Sequence, residues 1–217
     1  MNLPTKVFNK GINMSARTKI MKKSVAALIL FSIMILPYYA YAGVATETVH
    51  RYADKVLDVL RDPVLKAESS KKIKKEKIRL IADDMFDFTE LSKRTLAQNW
   101  NRFDSSQQKE FIHLFKSLLA DAYADKILAY TNERIVFSKE IQYSDNTAEV
   151  RSTVISKTAE IPINYRVILK GTEWKVYDVV IEGVSLVNNY RSQFKEILLN
   201  KSPESLLETL RKKVGKS

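Results

Sequence analysis

The sequence predicts an α+β domain in which helices pack on one face of a curved antiparallel sheet of about four strands. Three observations carry that reading. Apolar residues recur at helical spacing over 44–61 and again from 105 to about 130. From Arg134 the period changes to two, and the strand-like runs are separated by the turn segments "SDN" at 144–146 and "KGT" at 170–172. After Gly183 the helical period returns and holds to the last residues.

Taken in order, "VATETVHRYADKVLDVLR" (44–61) places Val49, Tyr52, Ala53, Val56, Leu57 and Leu60 on one side, and Pro63 ends that helix. The basic stretch "KKIKKEKIR" (71–79) reads as a solvated loop and helix start. It leads into a segment with apolar positions Ile78, Ile81, Phe86, Leu91, Leu96 and Trp100. The clearest helix follows, with Phe111, Leu114, Phe115, Leu118, Leu119, Ala122, Tyr123 and Tyr130 in one broad stripe. Asp104, Ser105 or Ser106 is its cap. Four strands come next: "RIVFSKEI", "AEVRSTVI", "IPINYRVILK" and "EWKVYDVVIE". In the third, Ile161, Ile163, Tyr165, Val167 and Leu169 share a face, opposite Asn164, Arg166 and Lys170, so one side of the sheet is packed and most of the other is wet. The fourth carries Val180 on one face and Val179 and Ile181 on the other, then runs through Gly183 into an amphipathic helix opening at Val184. Ser202 and Pro203 start a last helix.

The first 42 residues read differently. They hold six basic residues and no acid, an apolar run from Ser24 to Leu36, and the small-residue site "AYAG" at 40–43. That pattern is a secretory signal peptide over 1–42, cut after Ala42, with an uncleaved anchor as the alternative and Met14 or Met21 as alternative starts. Residues 43–217 then form one domain and carry about +5 rather than the +11 of the whole sequence. Nucleic acid is thereby disfavoured as a partner, and with no cysteine neither a disulfide nor a thiolate metal site is available.

Side chains for catalysis are few. His50 and His113 stand on helices without a second ligand at metal spacing, and no glycine-rich phosphate loop or G-x-S-x-G is present. Asp83 and Asp84 are adjacent, so on a helix they point about 100° apart, and helix-face or capping roles are expected rather than a proton-sharing dyad. Asp178, between Tyr177 and Val179, reads as a pairing carboxylate near a sheet edge, with a general base in a closed pocket as the alternative. No metal and no cofactor is expected, and no enzyme. The lysines Lys71, Lys72, Lys74 and Lys75 read either as a solvated face or as a surface for anionic lipid headgroups or an acidic partner.

Two stretches carry a resemblance. "FDFTELSKRTLAQNWNRFDSSQQKEFIHLFKSLLADAYADKILAY" and "WKVYDVVIEGVSLVNNYRSQFKEIL" resemble the MlaC, or toluene-tolerance, family of periplasmic phospholipid carriers of the Mla pathway. The sequence departs from the family at Ala97, where an L-G-x-x-W pattern has glycine. The resemblance implies a periplasmic shuttle that holds phospholipid in an apolar cavity of the α+β domain. It implies exchange between an outer-membrane lipoprotein complex and an inner-membrane ABC transporter with an MCE-type ring, maintaining outer-membrane lipid asymmetry. Physics adds that a buried CH₂ is worth about 0.8 kcal/mol, so a carrier has to offer a dry space of roughly 300–1,000 Å³ with the charged headgroup left in water. The candidate walls are Trp100, Phe115, Leu118, Leu119, Tyr123, Tyr165, Val167, Val180, Val184, Val187 and Tyr190. Each of these is equally well placed as ordinary core, because periodicity does not distinguish a filled interior from a hollow one. The same fold class admits a pocket enzyme similar to nuclear-transport-factor-like isomerases. A ligand-free adaptor or chaperone using its basic face is the third reading.

Overall fold

In a computed structural model, residues 43–130 and 133–215 are described; the expected signal segment, 1–42, lies outside them. Among the described residues no helix is long and apolar enough to cross a membrane. The chain begins with helix α1 (Val44–Arg61), which Asp62 and Pro63 terminate in a short 3₁₀ turn. Helix α2 (Lys71–Met85) includes the whole basic stretch. The expected loop there is helix because Ile78, Ile81 and Met85 give it an apolar stripe to bury.

Helix α3 (Phe88–Leu96) is capped by Asp87, whose side chain accepts from the Glu90 amide at 2.8 Å while its own amide donates to the Val176 carbonyl at 2.9 Å. Helix α4 (Ser105–Leu128) opens with a capping box: Asp104 accepts from the Gln107 amide at 2.9 Å, and the Gln107 side chain accepts from the Asp104 amide at 3.2 Å.

Ala97, between α3 and a 3₁₀ segment (Ala97–Arg102), has φ 50° and ψ −128°. A Cβ is strained there, by roughly 1–3 kcal/mol, and glycine is not. The sequence departure noted above therefore has a definite cost. Ala97→Gly is expected to raise the unfolding free energy by about 1 kcal/mol after the added chain entropy of glycine is subtracted, measurable as a higher urea midpoint.

The sheet is an antiparallel meander in the order β1-β2-β3-β4-β5: β1 (Arg134–Ser144), β2 (Thr147–Ile155), β3 (Glu160–Lys170), β4 (Glu173–Ile181) and β5 (Val184–Ser185). Register shifts in β1 and at the β3–β4 pairing of Arg166 and Val167 bend it, as bulges do. The fifth strand departs from the four expected. Glu182 and Gly183 both have positive φ, 49° and 83°, which is the requirement of a two-residue hairpin turn. Val184 and Ser185 thus pair back on Ile181 and Val180 instead of opening the helix. Helix α5 (Leu186–Asn200) starts two residues later than expected because Ser185 is its cap, accepting from the Asn188 amide at 3.0 Å. Helix α6 (Pro203–Val214) closes the chain.

Two apolar cores result. One lies among the helices and contains Phe103, Phe111, Phe115, Phe194, Leu198 and Leu206, with the rings of Phe111, Phe115 and Phe194 5.3–5.6 Å apart between centroids. The other lies between the sheet and helices α1 and α2, and contains Val49, Tyr52, Met85, Val150, Val167, Val176 and Val179. Helix α1 is fixed to that face at its first turn, where the Thr46 amide and hydroxyl donate to Glu140 at 2.8 and 2.7 Å.

Candidate functional site

The apolar face of the sheet is built row by row from the register. Ser152 stands opposite Ile163, which stands opposite Ile181; Val150 stands opposite Tyr165, and Tyr165 opposite Val179; Ala148 stands opposite Val167, and Val167 opposite Val176. Beneath α1 the last of these rows is sealed, with Ala148 and Val167 at 0% exposure and Val176 at 1%. Toward the other end of the face, covering is incomplete. Ile163, Tyr165 and Ile181 are only half-buried there, as are Phe137 on β1 and Leu186 at the start of α5; Phe86, bridged to Val176, and Leu169, opposite Trp174, are half-buried beside the sealed row, and all of these pack against the same core.

Tyr165 has the most unusual setting of these. Burial pushes its phenol from the ordinary 10.0 up to about 12, and the one opposing influence is the Ser152 hydroxyl. The folded state therefore keeps a proton that the unfolded chain gives up near pH 10. Stability is fully present below that pH and lost as pH rises toward about 12, by about 1.4 kcal/mol per pH unit. Urea midpoints measured from pH 9 to 11 are expected to fall less steeply in Tyr165→Phe than in the wild type.

On the opposite face, the buried carboxylate of Asp178 organises the junction between sheet and helix. It accepts from the Ser185 hydroxyl at 2.6 Å, the Val187 amide at 3.0 Å and Arg166 at 3.1 Å. This is the pairing role, and its two oxygens are held by three donors. A polar recess of about 250 Å³ adjoins it, lined by Arg94, Tyr143, Arg166, Tyr177, Asp178, Val187, Asn188 and Arg191. Most of its positive charge is already matched: Glu90 holds Arg94 at 2.8 Å, and Glu149 stands 3.5 Å from Arg166. Arg191 is clamped on the Arg94 carbonyl at 2.7 and 3.0 Å.

The expected wall residues divide between these places. Trp100, Phe115, Leu118, Leu119, Tyr123, Val187 and Tyr190 join the helical core, with Trp100, Leu118, Tyr123 and Tyr190 half-buried at its margin. Tyr165 and Val167 join the sheet core. Val180 is buried on the other face of β4, opposite Asn164, and Val184 is 58% exposed on the edge strand. The α4 stripe from Phe115 to Tyr123 faces α5 and α6, so the cover over Tyr165 and Val167 comes from α1 and α2 instead. Ile163 and Ile181 were legible as sheet-face residues in the alternation, and Leu186 as part of the apolar stripe of the helix after Gly183, but no local pattern put Leu186 or Phe137 beside them. Lys71 and Lys75 converge on Asp125 at 3.3 and 3.1 Å, and Lys71 and Lys74 border a second recess of about 280 Å³ with Lys66, while Lys72 is exposed on α2. Among the described residues no group of three or more His, Cys, Asp or Glu could hold a metal.

Comparison with known proteins gives concordant results. The family model described as "MlaC protein" matches residues 50–212. The intermembrane phospholipid transport system binding protein MlaC of Haemophilus influenzae is 25% identical over 136 residues, 59% of this chain and 64% of that protein. Toluene tolerance protein ttg2D of Pseudomonas putida is 26% identical over 110 residues, 50% of this chain and 51% of that protein. The chain thus spans between half and two thirds of the length of these two relatives. Among solved structures, the phospholipid-binding protein from Ralstonia solanacearum in complex with a phospholipid superposes with a TM-score of 0.70 at 26% identity, covering 79% of this chain and 97% of that one.

Proposed function

The chain belongs to the MlaC family, and from that premise we propose that it is a non-enzymatic phospholipid-binding transport protein. It takes the acyl chains of a lipid between the apolar sheet face and the helices that cover it. In this reading the protein is exported to the periplasm, its leader cut after Ala42. There it carries phospholipid between an outer-membrane lipoprotein complex and an inner-membrane ABC transporter with an MCE-type ring, so maintaining outer-membrane lipid asymmetry. The face of α2 with Lys71, Lys72, Lys74 and Lys75 is the proposed contact for headgroups or partners.

One observation carries the proposal: the half-buried apolar end of the sheet face. A core built only for stability covers such residues, because each fully buried Ile or Phe side chain is worth about 1.5–3 kcal/mol. Here Ile163, Ile181, Phe137 and Tyr165 all keep accessible surface. Apolar surface left open beside an otherwise sealed core supports a recess for hydrocarbon. The phosphate belongs outside, since burying it unpaired costs several kcal/mol. The phospholipid named with the Ralstonia solanacearum structure is in line with this.

The test is to purify the protein, denature it and identify co-extracted molecules by mass spectrometry. Near-stoichiometric phospholipid is the expected result. An empty protein would favour the adaptor, and a retained small polar metabolite the enzyme.

A further inference from the structure

We propose that Tyr165 and Ser152 form a hydrogen-bonding anchor that selects lipids with ester-linked chains, the phenol donating to an ester carbonyl. This deepens the lipid-carrier reading and rests on it.

The two hydroxyl groups belong to neighbouring strands on the apolar face. Tyr165 is flanked in register by Val150 and Val179, and Ser152 by Ile163. The Ser152 hydroxyl donates to the Ile163 carbonyl at 2.7 Å, so its proton is already engaged. Tyr165 is thus the donor available on this part of the face, and Ser152 is its polar neighbour. A phenol set among valines and isoleucines is unfavourable unless an acceptor reaches it, and apolar pockets use a few such groups to fix a ligand's orientation.

The chemistry of the acceptor follows from the surroundings. Glu140 stands on the same face, opposite Val150, with its carboxylate held by the Thr46 amide and hydroxyl at 2.8 and 2.7 Å. A phosphate brought beside Tyr165 would have to leave water among valines and isoleucines, on a face that also carries the Glu140 carboxylate. A neutral carbonyl meets neither penalty. In a phospholipid the neutral acceptors next to the acyl chains are the ester carbonyls, and an ether-linked analogue lacks them.

The experiment offers the purified protein vesicles containing equal amounts of a dihexadecanoyl phosphatidylglycerol and its di-O-hexadecyl ether analogue, and measures the bound ratio by mass spectrometry. The wild type is expected to favour the ester lipid about fivefold, the size of one net hydrogen bond. Tyr165→Phe, which removes one oxygen and keeps the ring, is expected to bring the bound ratio near one by weakening the ester lipid about fivefold. A wild-type ratio near one, with lipid bound, overturns the anchor and leaves the carrier reading standing. So does an unchanged preference in Tyr165→Phe. If the wild type takes up neither lipid, the carrier reading itself fails and the anchor with it. The wild-type ratio alone decides the matter should the variant not fold.

Discussion

Ile163→Trp is expected to cut the phospholipid that co-purifies with the protein at least tenfold, while its urea midpoint stays at or above that of the wild type. Ile163 lies at the incompletely covered end of the sheet face, between Ser152 and Ile181 in the ladder. An indole there occupies space that the carrier reading assigns to hydrocarbon. Each methylene displaced forfeits about 0.8 kcal/mol, so excluding five costs a bound lipid about 4 kcal/mol, nearly a thousandfold in affinity. The stability measurement gives the experiment its force. In a recess the added ring gains contacts, whereas in a filled core the same ring is overpacked and destabilises by about 1–3 kcal/mol. Unchanged lipid together with a lower midpoint would mean that the sheet core is solid at Ile163, and the transport reading would lose its chief support.

Asp178→Ala is expected to lower the unfolding free energy by about 3 kcal/mol, roughly 1.5 kcal/mol for each of the Ser185 and Val187 hydrogen bonds to its charge, while Arg166 keeps Glu149. Three donors lose their acceptor at once: the Ser185 hydroxyl, the Val187 amide and Arg166. The first two hold the start of α5 against β4, so the β5 hairpin and the first turn of α5 are the parts expected to loosen, visible as faster amide exchange there. Asp178→Asn keeps the shape and an acceptor oxygen but not the charge, and should cost clearly less. A loss below about 1 kcal/mol for Asp178→Ala would show that the junction is held by the packing of Val187 and Phe194 instead.

Much of the architecture was legible because it rests on short-range patterns. The period-two runs placed four strands within a few residues of their observed ends, and the cap of α4 is Asp104, one of the three candidates Asp104, Ser105 and Ser106. The α2 segment was not legible as one helix, since its first turns carry five lysines within 71–77 and its apolar stripe gains meaning only against the sheet. The β5 hairpin was missed for a comparable reason. "EGVS" contains a turn only if Glu182 also takes positive φ, and pairing with Val180 and Ile181 holds it there.

By itself, the sequence determined the α+β class, four of the five strands, the faces of the third strand and the resemblance to the MlaC family. Tertiary structure alone decided which apolar surfaces meet. It separated the Phe115–Tyr123 stripe from Tyr165 and Val167, put α1 and α2 over the sheet, left Val184 outside and sealed Asp178 under a helix start. The reason is that periodicity records which side of an element is apolar, whereas the partner of that side depends on long-range packing that no local pattern contains.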